Sequence, residues 1–422
     1  MHNRAGIWAA ALAMGLVLRL GFAWHLGHDF YQLDELGYDA VAHDFARYNV
    51  MGLKLPLVMG SVLMPFCVGL IYKVVGYNVF LARTLQAVLS VAVVPLMGAI
   101  AQLLFSNSRV TVATIIVGVF YPFFVYYSGI LMTEIWFAIV LCLGVWLVLR
   151  ILCAPQATSV WDAVATGLVW GLVALTRGEG LYCGAVVLAA TAWVGLGRLG
   201  IDWKKFVLLG LFWSLPWGLW GWRNQRLSGY FVLDVKGGLA LLHGTIALEE
   251  NEKDTTYAHA LLERMSFFQE AKKLSIVEQD KAYKREALRF MLAHPRLTFC
   301  QWGRKFVNFW RLYPRMDKVY FEHPSNRPNA GFSRRLLAVM SFLWETPLVL
   351  LGWWGLWRAR SRWIQILPIY SLIFVYMCIH IISVSQMRYR LAVMPFLIIF
   401  AAAVVVEQTI KFPTFRGRRS YF

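Results

Sequence analysis

The sequence predicts an all-α, polytopic membrane protein. Of its 422 residues 59% are hydrophobic, nineteen are Trp, and the mean hydropathy is +0.56. Several apolar runs exceed the roughly 18 residues that a helix needs to cross a bilayer. The formal charge of +18 would suggest nucleic acid in a soluble protein. Here the positive residues cluster between apolar runs, where they set orientation and meet lipid headgroups, so no nucleic-acid partner is expected. Cys67, Cys142, Cys153, Cys183, Cys300 and Cys378 fall mostly in apolar runs without paired spacing. They suggest neither a disulfide framework nor a zinc site.

An N-terminal transmembrane module is read over 1–222. Its first span, 5–25, lacks a small-x-small cleavage site and is interrupted by Arg19, so it reads as uncleaved. An acidic juxtamembrane stretch follows at 29–52. Asp29, Asp34, Glu35, Asp39 and Asp44 fall within sixteen residues, whereas 53–233 holds only Glu134, Asp162, Glu179 and Asp202. Tyr38, Val41, Phe45 and Tyr48 recur at helical spacing with polar residues between them, as in a helix lying flat on the bilayer. Asp34 and Glu35 stand at its N-terminal edge, where the helix dipole favours a carboxylate. The other reading is a solvated loop whose acids do nothing.

Residues 55–75 are apolar but interrupted by Pro56, Gly60, Pro65 and Gly69. Further spans read as 79–104, 109–128, 134–152, 161–176, 180–197 and 206–222. If 55–75 does not cross, Arg150, Arg198, Lys204 and Lys205 fall inside, as the positive-inside bias requires; the element is therefore read as re-entrant or interfacial. Residues 223–335 form an outer-face loop subdomain, with a solvated acidic run Glu249–Asp254, a helical stretch over 258–292 without Gly or Pro, and an aromatic, Arg-containing stretch after Pro295 that suits an interface. A C-terminal module, 336–422, adds spans at 336–357, 363–384 and 391–408, with arginines following on the inside. The count is about ten spans with both ends inside.

Under this topology the unusual polar residues gather on one side, and acids with arginines there suit an anionic, lipid-anchored substrate. Glu134, after Thr133, begins a span; it is a site residue or an acid favoured by the helix N-terminus. Arg388 and Arg390 precede the last span and bind substrate or snorkel to the headgroups. Arg177, Arg223, Asn224 and Tyr38 are further candidates. His243 reads as a metal ligand, a donor or a polar loop residue. No Gly-rich phosphate loop, Ser-His-Asp order or clear metal motif is present.

Four blocks resemble the GT-C glycosyltransferases of the bacterial protein O-mannosyltransferase and aminoarabinose (lipid A) transferase type. They are Asp34-Glu35-x-x-Tyr38-x-x-x-Ala42; Tyr121-Pro122 through Ser128 to Thr133-Glu134; Gly167-x-x-x-Gly171 through Arg177, with Pro216-Trp217 and Trp222-Arg223-Asn224; and Arg388-Tyr389-Arg390 with Pro395 beyond. The sequence departs from the pattern at Gly178, where the family has proline, and in the short stretch between Tyr48 and Pro65. The resemblance implies a polyprenyl-phosphate sugar donor, inversion at the anomeric carbon, and a lipid, glycan or protein acceptor reached through a hydroxyl or phosphate. It also implies a multi-pass protein of the bacterial inner membrane with its site facing the periplasm. Asp34 would be the base, Glu35 and Glu134 its supports, and Arg223 or Arg390 the contact to the lipid phosphate. Family members differ in metal dependence. Two other classes compete: a lipid-linked saccharide flippase or transporter, which would need polar residues along a path through the spans, and an O-antigen ligase or polymerase, which depends more on loop arginine and histidine. In a background lacking the native cysteines, Cys introduced near Glu250 and near Arg360 are expected to label from opposite sides of the membrane; labelling from one side overturns the ten-span topology.

Overall fold

A computed structural model describes residues 2–51, 61–246, 261–312 and 334–406. The start of the 55–75 element, the acidic run Glu249–Asp254 and the basic residues after Val406 lie outside these. The chain is a helical bundle. In order, the helices are α1 (His2–Leu26), α2 (Leu33–Tyr48), α3 (Leu63–Val75), α4 (Val79–Ser90), α5 (Val93–Phe105), α6 (Ser108–Phe120), α7 (Pro122–Gly129), α8 (Thr133–Cys153), α9 (Val160–Thr176), α10 (Glu179–Gly197), α11 (Trp203–Ser228), α12 (Gly237–Ile246), α13 (Ser266–Ala271), α14 (Ile276–Ala293), α15 (Pro295–Phe309), α16 (Arg334–Arg358), α17 (Trp363–Ile382) and α18 (Met394–Val406). A 3-10 segment, Met387–Ala392, joins the last two.

Long apolar helical stretches run over Trp8–Leu26, Val79–Phe105, Thr133–Cys153, Glu179–Gly197 and Ser341–Ile382, the last being α16 and α17 joined by a 3-10 turn. The pair α6–α7 is a further one, bent by 48°. The bend falls where Pro122 has no N–H to continue the helix and Tyr121 is extended. With 13 residues α3 is about 20 Å long, short of the roughly 30 Å hydrocarbon layer. It packs along α2, where Gly69 allows the approach: a Cβ there would stand 2.7 Å from Ala42 O.

The main core lies among α5, α6, α8, α9, α10, α17 and α18, and Met394 to Ala403 of α18 are all buried. α9 meets α11 through small residues. A Cβ on Gly167 would lie 2.5 Å from Leu209 O, and one on Gly171 2.6 Å from Pro216; backbones this close need glycine. A separate small core joins α12, α13 and α14 around Leu242, Leu262, Phe268 and Tyr283. The helical stretch expected over 258–292 begins outside the described residues and is broken at 264–265 and at 272–275, where Ser275 caps a new helix through a reciprocal pair with Glu278.

The ends of α8 collect different partners. Arg150 pairs with Asp162 at 3.2 Å, and nearby Lys205 donates to Thr158 O. The other end carries Glu134 into the charged group described next. Gly167→Ala should lower the thermal midpoint in detergent by the equivalent of about 1–3 kcal/mol of overpacking. Gly210→Ala, whose new methyl meets nothing within 4 Å, should be neutral or slightly stabilising. Equal midpoints for the two variants would contradict this packing.

Candidate active site

Two acids of the acidic helix, Glu35 and Asp39, fix it in place, and a third, Asp34, lies half-exposed. Gln32 caps α2, and Glu35 at the third helical position closes the cap: its Oε2 accepts from Gln32 N at 2.9 Å and Tyr31 N at 2.7 Å. Its Oε1 accepts from Leu131 N at 2.8 Å and pairs with Arg83 of α4 at 3.4 Å. Arg83 also donates to the carbonyls of Gly27 and Asp29. Burial raises the Glu35 pKa, while Arg83 and the three backbone N–H groups pull it down. Further along α2, Asp39 is buried and accepts from Tyr72 at 2.6 Å and Tyr77 at 2.9 Å, which ties α2 to α3. Asp34 lies on another face of the same helix. Its side chain is 52% exposed.

From Asp34 a ladder of alternating charge runs into the protein. Arg388 Nη1 donates to Asp34 Oδ2 at 3.1 Å, and its Nε stands 3.9 Å from Glu134 Oε1. Glu134 Oε1 is 3.3 Å from Arg177 Nη1, and Arg177 Nη2 is 3.5 Å from Glu179 Oε1. His380 Nε2 is 3.9 Å from the same Glu179 oxygen. The ring of Tyr389 holds the ladder together. Arg177 and Arg388 each lie 5.3 Å from its centroid, and His380 stacks on it at 4.2 Å. Five parts of the fold contribute: α2, the start of α8, the turn between α9 and α10, the end of α17, and the 3-10 segment. Thr133 does not cap α8, whose cap residue is Met132; its hydroxyl accepts from Arg177 at 3.2 Å. At Gly178 space is short, since a Cβ would lie 2.6 Å from Asp234 Oδ2.

Four buried atoms of the ladder have no hydrogen-bond partner: Glu134 Oε2, Arg177 Nε, Arg388 Nε and His380 Nε2. Each unmade bond costs about 1–3 kcal/mol. Such a group of donors and acceptors, beside a half-exposed carboxylate, is what a polar ligand would satisfy. Among the described residues no cluster of three or more His, Cys, Asp or Glu side chains is arranged to hold a metal. The ladder's carboxylates already face guanidinium groups, so these residues do not fit a divalent ion.

The remaining sequence candidates sit as follows. Tyr38 follows Asp34 by one turn; burial raises its phenol pKa, and Arg177, Glu134 and Asp34 act on it through space. Arg223 stacks on Trp220 at 4.5 Å and donates to Met51 O, and Asn224 donates to Val232 O. His243 is on α12. Arg390 is fully buried and pairs with Glu345 of α16, which also accepts from Tyr121 at 2.5 Å. The structure therefore brings Asp34, Glu134, Arg177 and Arg388 together, with Tyr38 within electrostatic reach. Glu35 and Arg390 make ion pairs of their own with Arg83 and Glu345. Glu179, His380 and Tyr389 belong to the ladder and were not singled out as site residues from the sequence. Ionisable residues inside apolar runs, such as His380 and Arg83, are the signal that finds them. Gln86 is another support: its Nε2 donates to Tyr127 O, Ser128 O and Ile130 O, and its Oε1 accepts from Trp136, which pins the segment leading into Glu134.

The all-helical bundle is similar in fold to solved membrane-enzyme structures. The apo oligosaccharyltransferase of Archaeoglobus fulgidus matches over 96% of this chain and 50% of its own, with a TM-score of 0.55 and 14% identity. ArnT from Cupriavidus metallidurans, in the apo state and bound to undecaprenyl phosphate, aligns over 94% and 95% of this chain and 78% and 77% of its own. Its TM-scores are 0.43 and 0.42, at 13% and 15% identity. The chain spans about half the length of the oligosaccharyltransferase, and at this identity the likeness is one of fold. No protein-family model and no curated protein sequence matches.

Arg83→Met strands the Glu35 carboxylate in a buried position and should cost about 3–5 kcal/mol of stability, seen as loss of folded protein or a lower thermal midpoint. Adding Glu35→Gln should recover part of the loss. A double variant no better than Arg83→Met would refute the pairing.

Proposed function

We propose that this chain is an inverting glycosyltransferase that moves a sugar from a polyprenyl-phosphate donor to an acceptor hydroxyl or phosphate. In this reading it is a ten-span protein of the bacterial inner membrane, with Asp34, Arg388, Glu134 and Arg177 at the periplasmic face. One observation carries the reading: a half-exposed carboxylate and a guanidinium with an unused buried donor meet from positions 354 residues apart. A base for the acceptor and a cation for the departing phosphate are the two groups such a transfer requires.

The acceptor oxygen attacks the anomeric carbon while its proton passes to Asp34. The bond from that carbon to the phosphate oxygen breaks on the opposite side, and the lipid phosphate leaves as an anion. Arg388 and Arg177 stand beside the base with donors suited to phosphate. Glu134 holds both arginines in place, and Tyr389 stacks against them. The lipid tail stays in the bilayer while its head enters the site, which fixes the reacting groups relative to each other. Gln32 and Glu35 form the cap of α2, so the cap does not use Asp34; this supports the base reading over a purely structural one.

The test is transfer of labelled sugar from a polyprenyl phosphate in proteoliposomes. Asp34→Asn keeps size and hydrogen bonding but removes the proton acceptor. Turnover should fall at least about a hundredfold, within the range of general-base catalysis, while donor binding survives. A folded Asp34→Asn protein that transfers at close to the parent rate would remove Asp34 from the reaction. Movement of donor across the bilayer without transfer would favour a flippase.

A further inference from the structure

Helix α15 buries polar side chains beside Phe309. Of its polar side chains Thr298, Gln301 and Lys305 are buried, while Phe299, Phe306 and Val307 are 66%, 45% and 63% exposed. The buried polar groups reach backbone carbonyls on other elements. Lys305 Nζ donates to Ile382 O at 3.0 Å, and Asn308 Nδ2 donates to Ser385 O at 2.5 Å. Ser385 Oγ donates back to Lys305 O at 2.8 Å, and Gln301 donates to Thr245 O at 3.0 Å. From the far side of the same junction, Arg390 Nη1 donates to Arg311 O at 2.8 Å. Ile382 is the last residue of α17, where a helix leaves its carbonyls without partners. Arg388 comes three residues after Ser385.

We propose that Lys305 and Asn308 are positioning residues: by gripping the carbonyls of 382–385 they hold the 383–390 segment so that the Arg388 guanidinium reaches Asp34 and Glu134. Lys305 is an unusual choice for packing alone. It is 5% exposed, and among the described residues burial alone, with no carboxylate, acts on its charge. Burial pulls its pKa down to about 7. A side chain that costly to bury is retained where its donors are used, and here the use is the open end of α17. Gly244 completes the junction, since a Cβ on it would strike Ser383 O and lie 3.1 Å from Lys305 Nζ.

The kinetic meaning of this role rests on the glycosyltransferase reading; the structural role does not. The first measurement is hydrogen exchange of the full chain in nanodiscs without substrate. Lys305→Met should speed exchange in 383–390 by at least about tenfold while α8 and α10 are unchanged, with Lys305→Arg close to the parent. Asn308→Ala, a milder change, should act in the same direction and serves if Lys305→Met does not fold. The second measurement is binding of a polyprenyl phosphate without sugar. Lys305→Met should weaken it about tenfold, and should add no further loss in an Arg388→Gln background, as expected for residues that act as one unit. Unchanged exchange in both variants, or additive losses on Arg388→Gln, overturns the proposal. If the parent protein neither binds polyprenyl phosphate nor transfers sugar, the functional reading fails, and the exchange result still decides whether α15 holds the segment.

Discussion

Arg177 is the charge on which the site depends. Its guanidinium lies between Glu134 and Glu179, two acids that open α8 and α10 and are favoured there by the helix dipoles. Without a cation between them these two carboxylates would repel each other. Removing one member of such a group leaves a buried charge uncompensated, at a cost of about 3–5 kcal/mol. Alternation of sign from Asp34 to Glu179 is what lets so many charges share one end of a membrane bundle. The charges come from α2, α8, the α9–α10 turn and the 3-10 segment, so the ladder also fixes how those parts of the fold meet.

Neighbouring charges in the sequence have different fates. Asp34 and Glu35 are adjacent, but a helix turns by about 100° per residue. Asp34 therefore lies half-exposed against Arg388, while Glu35 lies buried against Arg83. Arg388 and Arg390 divide in the same way: the first joins the ladder and the second pairs with Glu345. Each short motif thus supplies one group that faces the candidate site and one that anchors the backbone beside it. The anchor is what makes the position of the other reproducible.

Much of the fold was legible in the sequence. The apolar runs follow from composition, and the helix Leu33–Tyr48 within the acidic stretch 29–52 from periodicity; the bend at Tyr121-Pro122 falls inside 109–128, which reads in the sequence as one span. Asp34, Glu134, Arg177 and Arg388 were also legible, because charge is scarce in this chain and these residues stand at the ends of apolar runs. Which charge meets which was not. The Asp34–Arg388 contact spans 354 residues, and no local pattern encodes a separation of that size. His380 and Arg83 sit inside apolar helices, where each reads as an interruption until its partner is known. The expected helix over 258–292 is interrupted at 264–265 and again at 272–275, where the capping bond of Ser275 starts a new helix despite otherwise good helix-forming composition.

Gln86 sets a limit on how this sequence can vary. Its side chain donates to three carbonyls through one end and accepts an indole N–H through the other. Glutamate has the same shape but no donor, leucine has neither function, and asparagine is shorter by a methylene. A carboxamide at that reach is the one natural side chain that serves both ends. Drift at position 86 would therefore be expected only together with a redesign of the segment before Glu134, and a chain of this fold carrying another residue there should route those carbonyls differently.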